Sequence, residues 1–510
     1  MLTGDPDLAL AHARIAAAYA PDALEAAGER LVATLADHFR AVYAGDAKAL
    51  NWNPPAKLIG EARQFLDGAH FESLPSGSAD AIAARVAELA RESLARGQNL
   101  HHPHYVGHQV PAPVPLAALF DFLGSVTNQV MAIYEMGPWA TAVEHAVIAS
   151  VGEQLGFPAG SFAGLVTSGG SLANLTGLLT ARNVTLGDAW KVGLCGREPA
   201  PVLVTHADAH YSVARSAGIL GLGTDHIIPA ALDQHRRMDP NRLDEMLRDL
   251  CARGVPVIAV SAAACATPIG AFDSLVDIAE VCRRHEVWLH VDAAHGGAAA
   301  FSPRHRHLVA GLELADSVVC DAHKMMFVPA LCAMVFYRNR DHRFAAFHQE
   351  APYLFDPGAP DLAQFDTGLV NLECTKRAAA FGLWGIWSLF GPQLFADLVD
   401  VTFDLAQQFH AMLRVADDFE ALHEPECNIV AFRYLPRELQ DAPTEQIDAY
   451  QLRLRRAVIE SGEYYLVPNR IDGRSVLRTT MMNPQTTADD LRGLMDCLRS
   501  YGKRQLEGGR

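Results

Sequence analysis

From about residue 100 to 375, short apolar runs alternate with helical stretches, and each run ends in small or polar residues. PVLVTHADAH, VPVIAVSAAAC, EVWLHVDAA and DSVVCDAHK are such runs, and FDSLVDIAEVCRRH is one of the helical separators. This alternation leaves few folds open. Parallel strands need long crossovers, the crossovers are helices, and the helices cover both faces of a mainly parallel sheet. The expected class is therefore α/β. In such sheets ligands bind beyond the carboxyl ends of the strands. His210, Asp292 and the cluster Asp321-Ala322-His323-Lys324 all fall at the ends of apolar runs.

The flanking regions read differently. Residues 6 to 95 carry apolar residues at helical spacing, as in ALEAAGERLVATLADHFRAVYAG and, after a capping-type Ser-Ala-Asp, in SADAIAARVAELARESLARG. Asn51 to Pro55 breaks the pattern between them. Beyond residue 376, long helical stretches are followed by strand-like NIVAFRYL and SVLRTTMM. Three parts are expected: 1–97, a helical segment packing on a partner subunit; 98–375, a large domain; and 376–510, a small α+β domain. At 510 residues the chain is too long for one simple core.

A formal net charge of -17 argues against a nucleic-acid partner, whose binding face would be basic. The nine cysteines form no C-x-x-C pair, which suggests buried free thiols in a reducing cytoplasm. The N-terminus lacks a basic region followed by a continuous apolar core, so a secretory signal is not expected, and no run reaches the length of a membrane span.

The polar positions suggest a chemistry. Lys324 lies between an apolar run ending at Cys320 and a second from Phe327 to Tyr337, both read as buried strands. A buried lysine is paired, deprotonated or used covalently. Thirty-two residues upstream, VWLHVDAAHGG ends a strand in Asp292. An amine and a carboxylate at neighbouring strand ends are what pyridoxal 5'-phosphate requires: the amine forms a Schiff base and the acid holds the pyridine nitrogen. Ser168-Gly169-Gly170-Ser171 opens a helix after a short strand and reads as a phosphate cradle, or equally as a serine-capped turn. His210 is either a ring-stacking residue or a satisfied core histidine.

Together these strings resemble the group II pyridoxal-phosphate-dependent amino acid decarboxylases, which include the glutamate, aromatic amino acid and diaminobutyrate enzymes. The order Gly-Gly-Ser, Ala-His, His-Val-Asp-Ala-Ala, His-Lys carries the resemblance. EMGPWATAVE, DTGLVNLECTKR and VLRTTMMNPQTT extend it over about residues 98 to 485. The resemblance implies a fold-type I architecture with a mainly parallel large domain, an N-terminal helical arm and a small C-terminal α+β domain. It implies that Lys324 is the Schiff-base lysine, Asp292 the ring-nitrogen partner and His210 the stacking residue, with Ala294 on the opposite ring face. Gly170, Ser171 and His323 would hold the phosphate, Thr267 would lie near the cofactor, and Arg478 would take the substrate α-carboxylate. It further implies an L-amino acid substrate and a homodimer with the active site at the subunit interface.

The chain departs from the family pattern in three places. Asp321-Ala322 stands where Asn usually precedes His-Lys, and Cys265-Ala266-Thr267 where Gly-Thr-Thr is common. Asp361 stands where the glutamate decarboxylases carry the mobile-loop tyrosine that returns a proton after carbon dioxide leaves, with Tyr353 and Phe365 nearby. A missing proton donor leaves decarboxylation-dependent transamination or oxidative deamination to an aldehyde as alternatives, beside carbon-carbon lyase chemistry or a non-catalytic homologue. The string His101-His102-Pro103-His104, with Tyr105 and His108, is read as lining the substrate mouth, with His104 and Tyr105 as contacts. No carboxylate or cysteine stands beside it at ligand spacing, so no metal site is expected.

Overall fold

The computed structural model describes residues 6–67, 78–347 and 363–507. They form two compact units. The smaller takes in the described residues within 1–107, 438–468 and 485–510, and the larger those within 108–437 and 469–484. This partition differs from the three consecutive parts read from the pattern, because the smaller unit gathers segments from both ends of the chain.

The smaller unit is mainly helical: Pro6–Ala18, Pro21–Tyr43, Pro55–Asp67, Ala79–Arg96, Thr444–Ser461 and Ala488–Glu507. Its helices start where the local chemistry favours it. Pro21 opens one helix, where its missing N–H costs nothing. Ser78 caps another, its hydroxyl accepting from the Ala81 amide at 3.3 Å.

The larger unit is built on a seven-stranded sheet. Its strands are β1 (Ala163–Thr167), β2 (Val202–His206), β3 (Ile227–Ala230), β4 (Val257–Ala263), β5 (Leu289–Asp292), β6 (Ser317–Asp321) and β7 (Ala333–Tyr337). They lie in the order β1-β7-β6-β5-β4-β2-β3. All pairings are parallel except those of β7, which runs antiparallel between β1 and β6. The parallel strands are apolar on both sides because both faces are covered. Val260, Val291 and Val318 pack with Val147, Leu247 and Ile278 of the helices Pro138–Gln154, Pro240–Ala252 and Leu275–Arg284. Ile258, Ala259 and Val319 pack with Leu178 and Val213 of Gly170–Leu186 and Tyr211–Ile219. Val318 and Val319 go to opposite faces, as a period of two requires.

The apolar run from Phe327 to Tyr337 becomes a strand only from Ala333. The earlier half is a loop. Pro329 has no amide to give a ladder, and Phe327 has φ 55°. The loop is tied back by the His323 amide donating to the Cys332 carbonyl at 3.1 Å.

β1 is an edge strand, and its outward backbone groups are satisfied by side chains. The Val166 amide donates to Glu144 Oε1 (3.2 Å), and its carbonyl accepts from Lys376 Nζ (2.6 Å). Lys376 and Glu144 also pair at 2.6 Å, both buried. A second, four-stranded sheet contains β8 (Phe419–Ala421), β9 (Ile429–Tyr434), β10 (Arg474–Thr480) and the strand Val467–Ile471; β8 and β9, and β9 and β10, pair antiparallel, with Ala431 facing Arg478. The nine cysteines are unbonded. Among the described residues no helix is long and apolar enough to cross a membrane.

Candidate active site

Because β1, β2, β4, β5 and β6 point the same way, their carboxyl ends meet at one edge of the sheet. A cavity of about 290 Å³ opens there, lined by Gly170, Ser171, His210, Thr267, Asp292, Ala294, His323 and Lys324 among others. Its volume is at the lower end of the ~300–1,000 Å³ of small-ligand sites.

Each side chain is held by its element. Asp292 ends β5, register-paired with Ala263 and Val319. Its Oδ1 accepts from the Ala294 amide (3.1 Å) and its Oδ2 from Asn174 Nδ2 (2.9 Å). His210 precedes the helix Tyr211–Ile219, and its Nδ1 lies 2.8 Å from Ser212 Oγ. Burial lowers its pKa, with Asp292 opposing. The helix Gly170–Leu186 begins at the cavity wall, and its first amides have no carbonyl one turn back to bond. Such a helix start favours anions, and Ser171 is among the lining residues.

Lys324 Nζ sits 3.3 Å from Asp321 Oδ2. Burial works against its ammonium, yet Asp321 and Asp292 outweigh burial and lift the pKa above the ordinary lysine value. Asp321 is buried, and its Oδ1 finds no hydrogen-bond partner among the described residues. Burial raises its carboxyl, while Lys324 and His323 pull the other way. The carboxylate packs against the start of the helix: a Cβ on Gly170 would come within 2.6 Å of Asp321 Oδ2. Glycine at 170 is thus needed for close approach.

Arg478 reaches the same region from β10. Its Nη1 donates to the Thr267 carbonyl at 2.7 Å, and its buried Nε has no partner among the described residues. Burial lowers its pKa to about 10.

An amine, a carboxylate, an imidazole and a helix N-terminus around one small cavity are the donor set of a pyridoxal phosphate site. A model of the pyridoxal-dependent decarboxylase conserved domain matches residues 80–435. The chain belongs to the pyridoxal-dependent decarboxylase family. This decarboxylase is 28% identical over 463 residues to acidic amino acid decarboxylase GADL1 of Homo sapiens, covering 89% of this chain and 86% of that one. It is 33% identical over 432 residues to L-2,4-diaminobutyrate decarboxylase of Rhizobium meliloti (strain 1021), covering 84% and 83%. The crystal structure of mouse CSAD in apo form superposes with a TM-score of 0.83 at 26% identity, covering 94% of this chain and 99% of that one. The fold is that of the fold-type I decarboxylases, the cofactor is pyridoxal phosphate, and the reaction is amino acid decarboxylation.

The residues read from the sequence fall in three places. Those named for the cofactor line the cavity, and Arg478 touches its wall through Thr267. His104 and Tyr105 belong to the smaller unit and are not among the lining residues. Within that unit His104 stacks on Tyr464 at 3.9 Å and bonds Asp490 at 3.1 Å, and buried Tyr105 stacks on Tyr465 at 4.8 Å. Asp361 and Tyr353 lie outside the described residues. Phe365 packs against Tyr134 and His145. Sequence reading missed Gln109 and Asn174, which also line the cavity. Asn174 carried a signal, since it lies four residues after Gly170 and hence on the same helix face.

Proposed function

We propose that Lys324 carries the cofactor and that the cavity at the sheet edge is where an L-amino acid loses its α-carboxylate. The observation that carries this reading is the convergence of Lys324, Asp292, His210 and the Gly170 helix start on one cavity. Pyridoxal phosphate, when bound, supplies an aldehyde that condenses with amines and a ring that accepts the electron pair left by carbon dioxide. Asp292 would hold the ring nitrogen, His210 and Ala294 would flank the ring, and Gly170, Ser171 and His323 would hold the phosphate. Lys324 must shed a proton before it can bond carbon, and Asp321 Oδ2 is its nearest carboxylate acceptor. Arg478, with an unspent buried N–H beside Thr267, is suited to a carboxylate. Such a clamp would orient the bond to be broken, so it acts on the chemical step as well as on binding.

We further propose a cytoplasmic homodimer with its active site at the subunit interface and the helical segment 1–97 packed on the partner. What supports a dimer is the helix Pro115–Val126, which leaves Leu116, Leu119, Phe122, Leu123 and Val126 exposed, with Trp139 nearby in sequence also exposed. Contiguous apolar residues on a helix face ask for a partner.

The test is a panel of the common L-amino acids given to the reconstituted enzyme, scored for carbon dioxide, amine and aldehyde. Amine and carbon dioxide in equal amounts from one substrate is the expected result. Aldehyde as the main product, or no carbon dioxide from any substrate, would contradict it.

A further inference from the structure

At the cavity wall a buried hydrogen-bond network joins Asp292 to His210 through Asn174 and Ser212. Asn174 Nδ2 lies 2.9 Å from Asp292 Oδ2 and 2.9 Å from Ser212 Oγ. Asn174 Oδ1 lies 3.0 Å from His290 Nε2. His290 Nδ1 lies 2.8 Å from Ser317 Oγ, which accepts from Trp288 Nε1 at 2.9 Å. At the other end Ser212 Oγ lies 2.8 Å from His210 Nδ1, and the Ser212 amide adds a bond to that nitrogen at 3.3 Å. Asn174, Ser212, His290 and Ser317 are all buried to 1% exposure or less.

The donors and acceptors allow one consistent direction. Asn174 turns its Nδ2 to the Asp292 carboxylate, so its Oδ1 faces His290 Nε2, which must donate; His290 Nδ1 then accepts from the Ser317 hydroxyl, which itself accepts from Trp288 Nε1. Burial lowers His290 to about 4, so it is neutral near pH 7 and its proton sits on Nε2. That proton goes to Asn174 Oδ1. The opposite amide orientation would set Asn174 Oδ1 against the Asp292 carboxylate and is excluded. Asn174 therefore spends one amide hydrogen on Asp292 and the other on Ser212. The Ser212 amide donates to His210 Nδ1, so that nitrogen is an acceptor and the Ser212 hydroxyl gives its hydrogen there too. His210 is left with its proton on Nε2, which bonds to no described residue.

We propose that Asn174 is a positioning residue, backed by His290, that keeps Asp292 Oδ2 as an acceptor and His210 in the Nε2–H tautomer. This rests on Asp292 and His210 being the ring-facing pair proposed above. One side chain thereby sets both the carboxylate that meets the ring nitrogen and the imidazole that meets the ring face. Asn174→Asp makes the strongest contrast. It is close to isosteric, yet it places an acceptor against Asp292 and draws the Ser212 hydrogen away from His210.

The test uses the full chain. Nitrogen-15 spectra of histidine-labelled apoprotein, with the His210 signal identified by its loss in His210→Asn, read the tautomer directly. Wild type is expected as Nε2–H. Asn174→Asp is expected to move toward Nδ1–H, and Ser212→Ala to give a mixture. As apoprotein, Asn174→Leu is expected to give a His210 tautomer mixture and a lower melting temperature, because Asp292, Ser212 and His290 each lose a buried partner. It should bind pyridoxal phosphate about tenfold more weakly, as loss of one hydrogen bond to a charged group implies, and lose kcat with KM within twofold. If Asn174→Leu fails to fold, Ser212→Ala reads the His210 arm alone. A wild-type His210 carrying its proton on Nδ1 would overturn the proposal. So would cofactor affinity within twofold of wild type in both Asn174 variants. A failure of the cofactor reading itself would show separately, as wild-type protein that develops no visible absorption with pyridoxal phosphate.

Discussion

Asp321 and Gly170 illustrate how tightly single residues are set in this site. The Asp321 carboxylate occupies the space a side chain at 170 would need. Gly170→Ala is therefore expected to weaken cofactor binding and to destabilise the protein by about 1–3 kcal/mol, the usual range for overpacking. Gly170→Ala with Asp321→Ala should recover part of that loss, because the clashing atom is gone. Denaturant midpoints of the four proteins measure the coupling. Asp321 also bears on phosphate binding. Its raised carboxyl pKa means that it takes a proton at higher pH than a free aspartate, so its repulsion of an anion falls as pH falls. Asp321→Asn should bind pyridoxal phosphate more tightly than wild type at pH 8, with the gap narrowing as pH falls. Equal affinities at pH 8 would show that the carboxylate does not face the phosphate.

At the scale of elements, the position of β1 matters most, because the Gly170 helix starts from its end. β1 is held at its open edge by Glu144 and Lys376 rather than by another strand. Lys376→Met leaves Glu144 buried without its counter-charge, which costs about 3–5 kcal/mol. Lys376→Met with Glu144→Leu should cost less than the single change. Urea unfolding of the apoproteins distinguishes the two. This clamp also shows where sequence reading stops. The apolar runs ending in Thr167, His206, Ala263, Asp292 and Cys320-Asp321 were legible as strands, because a two-sided buried strand is apolar throughout. The ends then located the cavity-lining residues. Lys376 could not be paired with Glu144 from the sequence, since 232 residues separate them and no local pattern links them. The loop from Phe327 to Cys332 misled for the opposite reason. It is as apolar as a strand but is held by His323, a residue whose tie to Cys332 periodicity does not report.

Across the whole molecule, two kinds of information were beyond the pattern. The smaller unit assembles from both termini, and His104 and Tyr105 are committed there to Tyr464, Tyr465 and Asp490. Contacts of such sequence separation leave no periodic trace. Buried neutral histidines set a second property of the whole chain. Burial lowers His290 and His423 to about 4 and His295 to about 3. Asp292 opposes the shift at His290, and Lys324 adds to it at His295. An unfolded chain binds these protons near pH 6.5 whereas the folded one does not, so stability is present above about pH 6.5 and is lost as pH falls toward 4. Each fully shifted histidine contributes on the order of 3 kcal/mol. The melting temperature of the apoprotein should fall steeply between pH 6.5 and 4, and His423→Gln should flatten that slope. An unchanged slope would place the acid sensitivity elsewhere. Dimerisation is tested at the same scale: Leu119→Glu with Phe122→Glu should yield a monomer in sedimentation with little activity.

The residue on which the site depends is Lys324, and its covalent use is open to direct measurement. Purified protein incubated with pyridoxal phosphate, reduced with borohydride and digested should carry the cofactor mass on the peptide containing Lys324. Lys324→Ala treated identically should carry none and show no visible absorption band. Label recovered mainly on another lysine, or an undiminished band in Lys324→Ala, would contradict the assignment of this cavity as the catalytic site.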